Sequence, residues 1–152
     1  VSKSITSFIG ANPDANRLIF EKKLNVELVP QGTLTERIRA GGAGIGGFYT
    51  PTGVGTVAEE GKETKMINGK KHILELPLRA NVALVKAYKA DRQGNAIFKY
   101  TAANFNTVMA TAADLVILEV EKLVEVGEIE PDQVQLPGIF IDNIVLAEEA
   151  IF

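Results

Sequence analysis

The chain predicts an α/β fold: a mostly parallel open sheet flanked by helices, with a β-hairpin inserted. Three observations carry this. Two continuous apolar runs, Val82–Tyr88 and Leu115–Val120, have the character of strands covered on both faces, which in α/β folds are parallel. The first 40 residues alternate β-branched runs with helix-start signals. Between them, Asn68-Gly69 joins two alternating segments, the strongest short-range hairpin signal a sequence offers.

The elements follow in order. Ser4–Ile9 is β-branched and aromatic and predicts a strand, which Gly10-Ala-Asn-Pro-Asp14 ends. Pro13 sits where a helix opens, since its missing N–H costs nothing in the first turn. Leu18 and Ile19 line that helix's inner side. Asn25–Val29 is a second strand, closed by Pro30. Thr33-Leu-Thr-Glu36 has the capping-box spacing, with Leu34 and Ile38 four apart on one face and Gly41 and Gly42 as the C-terminal stop. The hairpin pairs Thr64–Ile67 with Lys71–Glu75 and places His72 on its second arm, at a surface or sheet-edge position with a structural role. After Val82–Tyr88, Gly94-Asn95 turns the chain into Ala96–Tyr100. Asn106 or Thr107 caps a short helix through Ala113, and Ile139–Leu146 closes the sheet. The whole reads as a single α/β domain over residues 1–152.

Composition excludes several functional classes. At 46% hydrophobic and 23% charged, 152 residues suffice for a real core. A net charge of −3 without a basic run gives no support to nucleic-acid binding, and no apolar run reaches the ~20 residues of a membrane span. With no cysteine and one histidine, disulfides, thiolate chemistry and multi-histidine metal centres fall away. The metal-ligand set is therefore empty.

One segment is unusual. Gly41, Gly42, Gly44, Gly46, Gly47, Gly53 and Gly55 are half of the chain's 14 glycines, so this stretch has a local reason to give up side chains. Positive φ, close backbone approach, or a nest of amides facing an anion would each supply one. A connecting loop that packs under a neighbouring domain is the plainer alternative. Gly42-x-Gly44-x-x-Gly47 matches the dinucleotide fingerprint literally, but it follows a predicted helix instead of a strand and precedes Pro51, so the match is rejected.

The reaction comes from resemblance. Val29-Pro-Gln-Gly-Thr-Leu-Thr-Glu-Arg-Ile-Arg-Ala-Gly-Gly-Ala-Gly44 resembles the alpha (A) subunit of family I coenzyme A transferases, the acetate, acetoacetate and succinyl-CoA:3-oxoacid enzymes. The similarity continues through Phe48-Tyr-Thr-Pro-Thr-Gly-Val-Gly-Thr56, Leu78–Asn95, Ala103–Asn106, Leu123–Asp132 and Pro137–Asp142, in unbroken order. It implies a fold of the CoA-transferase and ribose-phosphate-isomerase kind. It also implies transfer of CoA between a short-chain acyl-CoA and a carboxylic acid, with CoA and acyl-CoA as substrates and no permanently bound cofactor. The expected partner is a beta (B) subunit carrying the catalytic glutamate, in a cytoplasmic hetero-oligomer.

Two departures qualify the resemblance. The family's alpha chain opens with a further βαβ portion bearing a Gly-Gly-Phe signature, and Gly46-Gly47-Phe48 lies in a different context. Residues 1–152 thus correspond to the C-terminal two-thirds or so of that chain. No segment resembles the Glu-Asn-Gly setting of the nucleophile, so no catalytic or cofactor-binding residue is assigned. The residues assigned to a wall of the cleft, or to the contact with the beta partner, are Gly41, Gly42, Gly44, Gly46, Gly47, Phe48, Tyr49, Thr50 and Pro51. The competing class is a non-catalytic module of the sugar-phosphate sensor type on the same scaffold, which fold alone does not separate from a transferase.

Overall fold

The computed structural model describes residues 1–148 and divides the chain into two compact units. The first comprises Val1–Arg37 and Ile45–Pro77; the second comprises Ile38–Gly44 and the chain from Leu78 on.

Unit 1 opens with β1 (Lys3–Thr6), α1 (Pro13–Phe20) and β2 (Asn25–Leu28), a β-α-β turn of the chain whose strands pair in parallel from Lys3↔Asn25 to Thr6↔Leu28. As expected, Pro13 takes the first turn of α1, and Asn12 caps it by accepting from the Ala15 N–H at 3.0 Å. No residue of α1 is fully buried, and Phe20 is exposed.

α2 (Gln31–Gly42) begins earlier than the capping-box reading allows. The Leu34 N–H bonds the Pro30 carbonyl at 2.9 Å, so Pro30 closes the first turn and Thr33 lies inside the helix, buried. The C-terminal stop also moves. Gly41 and Gly42 remain helical, and Gly44, at φ +69°, turns the chain out.

β3 (Phe48–Thr50), β4 (Thr64–Ile67) and β5 (Lys70–Glu75) complete unit 1 as an antiparallel sheet in the order β3-β5-β4. The hairpin is as read: Asn68 at φ +49° and Gly69 at φ +75° form the two-residue turn between β4 and β5. His72 lies on β5, the central strand, and not at a sheet edge. Its Nδ1 is 2.9 Å from the Lys70 carbonyl oxygen.

Unit 2 is built on β6 (Ala80–Asp91) and β8 (Ala113–Val124), paired in parallel from Ala80↔Ala113 to Asp91↔Val124. β7 (Ala96–Ile97) joins β6 antiparallel and β9 (Asn143–Leu146) joins β8 parallel, giving the order β7-β6-β8-β9. The parallel pairing of the two apolar runs is the predicted one, but each run alternates instead of burying both sides. Ala83, Val85, Ala87, Val116, Leu118 and Val120 enter the core, while Leu84 on the other face is 70% exposed and Val82 47%.

α3 (Asn106–Thr111) covers the inner face through Ala110 and Met109. Its side-chain cap is absent. Asn106 instead accepts from the Lys86 N–H at 3.1 Å and donates to the Ala102 carbonyl at 2.7 Å, tying the helix start to β6. At the far end of β6, Asp91 is buried and satisfied by the Gln93 and Asn95 N–H groups and the Asn95 amide.

Candidate functional site

The predicted segment does not form one continuous loop. Gly41, Gly42 and Gly44 belong to unit 2, whereas Gly46, Gly47, Phe48, Tyr49, Thr50 and Pro51 belong to unit 1.

In unit 2 the first two glycines are required by close approach. A Cβ on Gly41 would lie 2.2 Å from the Leu78 carbonyl oxygen, and one on Gly42 2.3 Å from Thr111 Oγ1. The Gly41 carbonyl accepts from Arg79 Nη1 at 3.1 Å, and the same guanidinium holds Asp114 at 3.1 Å. Gly44 has open space around its Cβ position, so its positive φ is its requirement.

In unit 1 the sequence enters β3 directly. Gly47 packs against β5, where a Cβ would come within 3.0 Å of the Glu75 carbonyl oxygen. Phe48, Tyr49 and Thr50 then pair with Glu75, Leu74 and Ile73. The Tyr49 hydroxyl donates to Glu63, which raises the phenol's pKa, and Lys65 lies 5.4 Å from the ring centroid. Thr50 Oγ1 accepts from the Thr52 N–H at 3.1 Å, and the Pro51 carbonyl accepts from Val54.

The glycines beyond Pro51 bear on the idea of an open amide nest. The Gly55 N–H is taken by Glu59 Oε2 at 2.7 Å, and Thr56 caps the short helical turn Val57–Glu59. Glu59 also pairs with Lys71. That ion pair, followed by the Gly55 amide, lowers the carboxyl's pKa. The amide is thus satisfied by the chain's own carboxylate.

Sequence reasoning missed the charged group beside β3. Glu75, directly opposite Phe48, is 2% exposed and meets Lys62 Nζ at 2.6 Å. Arg37 lies 3.9 Å away on the other carboxylate oxygen, donates to the Leu76 carbonyl at 2.9 Å, and pairs with Glu27 at 2.7 Å. Arg37 and then Lys3 hold the Glu27 carboxyl below its ordinary pKa. An alternating Lys71–Glu75 arm reads as half-exposed, and nothing local marks its last residue as buried. The carboxylate in the apolar run, Glu119, is ion-paired with Lys86 at 2.8 Å on the open side of the sheet.

Comparison with known proteins gives this arrangement its family. The coenzyme A transferase profile matches residues 1–147. The chain is 51% identical over 150 residues to the alpha chain of the acetate CoA-transferase of Escherichia coli (strain K12), covering 99% of this chain and 68% of that one. It is 51% identical over 146 residues to the corresponding chain of the succinyl-CoA:3-ketoacid coenzyme A transferase of Xanthomonas campestris pv. campestris (strain B100), covering 96% of this chain and 60% of the relative. The chain therefore spans about 60–68% of the length of these two relatives. An acyl-CoA transferase apoenzyme from Escherichia coli O157:H7 superposes with a TM-score of 0.84 at 23% identity, over 94% of this chain and 32% of that one, so the fold is shared. The chain belongs to the coenzyme A transferase family.

Proposed function

We propose that residues 1–152 form the C-terminal two-thirds or so of the alpha chain of a CoA-transferase. The enzyme moves CoA between a short-chain acyl-CoA and acetate, succinate or a 3-oxoacid. The observation that carries this reading is the 51% identity to two transferase chains of this type across nearly the whole sequence. It includes no segment with the nucleophile's expected setting, so the catalytic glutamate is assigned to a beta partner. The sugar-phosphate sensor alternative is not favoured by relatives of this kind.

The chemistry is nucleophilic catalysis with ping-pong exchange. The glutamate carboxylate adds to the thioester carbonyl, and the C–S bond breaks to give an acyl-glutamyl anhydride and CoA thiolate. The thiolate adds to the glutamyl carbonyl and expels the donor's carboxylate, leaving a glutamyl-CoA thioester. An incoming carboxylate reverses both steps and leaves as the new acyl-CoA. Each addition places charge on a carbonyl oxygen, so rigid donors around the cleft are needed, and exclusion of water protects the anhydride. In this reading Gly41, Gly42, Gly44, Gly46, Gly47, Phe48, Tyr49, Thr50 and Pro51 help to shape a wall of that cleft or the contact with the beta partner. The reading also places the enzyme in the cytoplasm; among the described residues no helix is long and apolar enough to cross a membrane.

The test is reconstitution of the full-length alpha chain with its beta partner, assayed for CoA exchange between short acyl-CoAs and acetate, acetoacetate and succinate. Borohydride or hydroxylamine trapping after incubation with acyl-CoA, followed by peptide mapping, is expected to mark one glutamate of the beta partner. Every carboxylate of this chain should remain unlabelled. A label on Glu59, Glu60 or Glu119 reverses the division of labour, and absence of exchange with every pair removes the reading.

A further inference from the structure

Unit 2 carries a cavity of about 430 Å³ at the polar end of β6, lined by Lys86, Tyr88, Lys99, Tyr100, Asn106 and Glu121. Its cations are of two kinds. Lys86 is neutralised by Glu119 at 2.8 Å. Lys99 and Lys122 are ion-paired to no carboxylate among the described residues and lie against aromatic rings instead. Lys99 Nζ is 4.3 Å from the Tyr88 ring centroid and 5.7 Å from that of Tyr100, and Lys122 Nζ is 5.3 Å from that of Tyr88. The Tyr88 phenol is held below its ordinary pKa, chiefly by its hydrogen bond with Lys122 and by that residue's charge, with Lys99 and Lys89 adding to the effect.

Tyr100 is the second observation. It is 92% exposed and held at φ +55°, a conformation that costs a bulky residue about 1–3 kcal/mol. A ring serving only the fold would be packed and relaxed. This one is displayed to solvent beside an uncompensated ammonium group. Surplus positive charge, a free aromatic face and a carboxylate at the rim are the equipment for phosphate, a planar base and ribose hydroxyls respectively.

We propose that this cavity binds a phosphorylated nucleotide, its base stacked on Tyr100 and its phosphates held by Lys99 and Lys122. In the enzyme proposed above, the ligand of that chemistry is the nucleotide end of CoA, an adenosine carrying a 3′-phosphate and a 5′-diphosphate. That last assignment rests on the CoA-transferase reading; the site itself does not.

The probe is adenosine 3′,5′-bisphosphate, titrated into the 152-residue chain by calorimetry and by amide spectra. Saturable binding is expected, with shifts centred on Tyr88, Lys99, Tyr100 and Lys122 and affinity falling steeply with salt. Replacing Lys99→Gln and Lys122→Gln together should weaken it about tenfold or more, a loss of roughly 1.4 kcal/mol. Tyr100→Ala should weaken it about fivefold or more, whereas Tyr100→Phe retains binding and so separates stacking from any loss of fold. Unchanged affinity in the double lysine variant overturns the site. Inorganic phosphate that binds as tightly as the bisphosphate, and is indifferent to Tyr100→Ala, overturns the nucleotide assignment. In the reconstituted enzyme, normal CoA exchange with a KM for CoA unmoved by the lysine changes would sink this site and leave the transferase reading. Bisphosphate bound through Lys99 and Lys122, in a chain that supports no CoA exchange with its partner, would do the reverse.

Discussion

Lys62 reaches over the edge of the three-stranded sheet to place its ammonium 2.6 Å from Glu75, a carboxylate that is 2% exposed although the lysine is 29% exposed. The pair is asymmetric in its access to water, and so are the consequences of breaking it. Lys62→Met leaves a buried carboxylate with only Arg37, 3.9 Å away, for compensation and should cost about 3–5 kcal/mol. Glu75→Gln leaves an amide in the pocket and a lysine free to move into water, so the loss should be smaller. Urea unfolding of the two variants checks this; equal losses would mean that the carboxylate is better solvated than its burial indicates.

The Glu27 carboxyl gives the chain an acid-sensitive element. Its folded-state pKa is lowered by Arg37 and Lys3, so its stabilisation is fully present above the unfolded carboxyl value of about 4.3 and lost as the pH falls through the folded one. The Glu27→Gln variant should be less stable than the parent at neutral pH, and the difference should shrink towards pH 3. Denaturation midpoints at pH 7 and pH 3 measure it; a gap that widens in acid contradicts the assignment.

The glycines of the Arg39–Thr56 stretch should respond unequally to substitution. Gly41→Ala drives a methyl into the Leu78 carbonyl and should destabilise by about 1–3 kcal/mol, as overpacking does. Gly44→Val has room but the wrong φ, and should cost stability through the backbone alone. Gly46→Ala meets nothing within 4 Å and has no left-handed φ, so it should be neutral or stabilising by about 0.4–1 kcal/mol. Thermal midpoints of the three variants give the order. In the reconstituted enzyme, a Gly46→Ala variant that folds well but fails to assemble or turn over would show that its small size serves the partner or substrate.

What the sequence revealed and what it concealed have physical explanations. Asn68-Gly69 was legible because a two-residue turn needs positive φ at both positions and those residues provide it. Pro13 was legible because its ring suits only the first turn of a helix. The start of α2 was misread because Thr33 and Glu36 keep the capping-box spacing, while burial of Thr33 and closure of the first turn by Pro30 decide the outcome. Glycine clustering drew attention to residues 41–55 but did not separate the causes. Close approach governs Gly41 and Gly42, backbone sign governs Gly44, and Gly46 shows neither. The Lys62–Glu75–Arg37 group was invisible because its members come from three segments, and only the fold brings them together. The lysines beside Tyr88 were passed over for the same reason: Lys99 and Lys122 are isolated in the chain and meet at one ring.

The shallow seating of α1 sets the order in which the chain gives way. A helix with no fully buried residue, ending at an exposed Phe20 and followed by Lys22 at φ +57°, is held by little beyond its own turns. Its amides should exchange with deuterium within the earliest time points, while those of the central β6–β8 ladder persist. Trypsin should accordingly nick the native chain first around Arg17, Lys22 and Lys23, releasing a short amino-terminal peptide before any cut appears between β6 and β8.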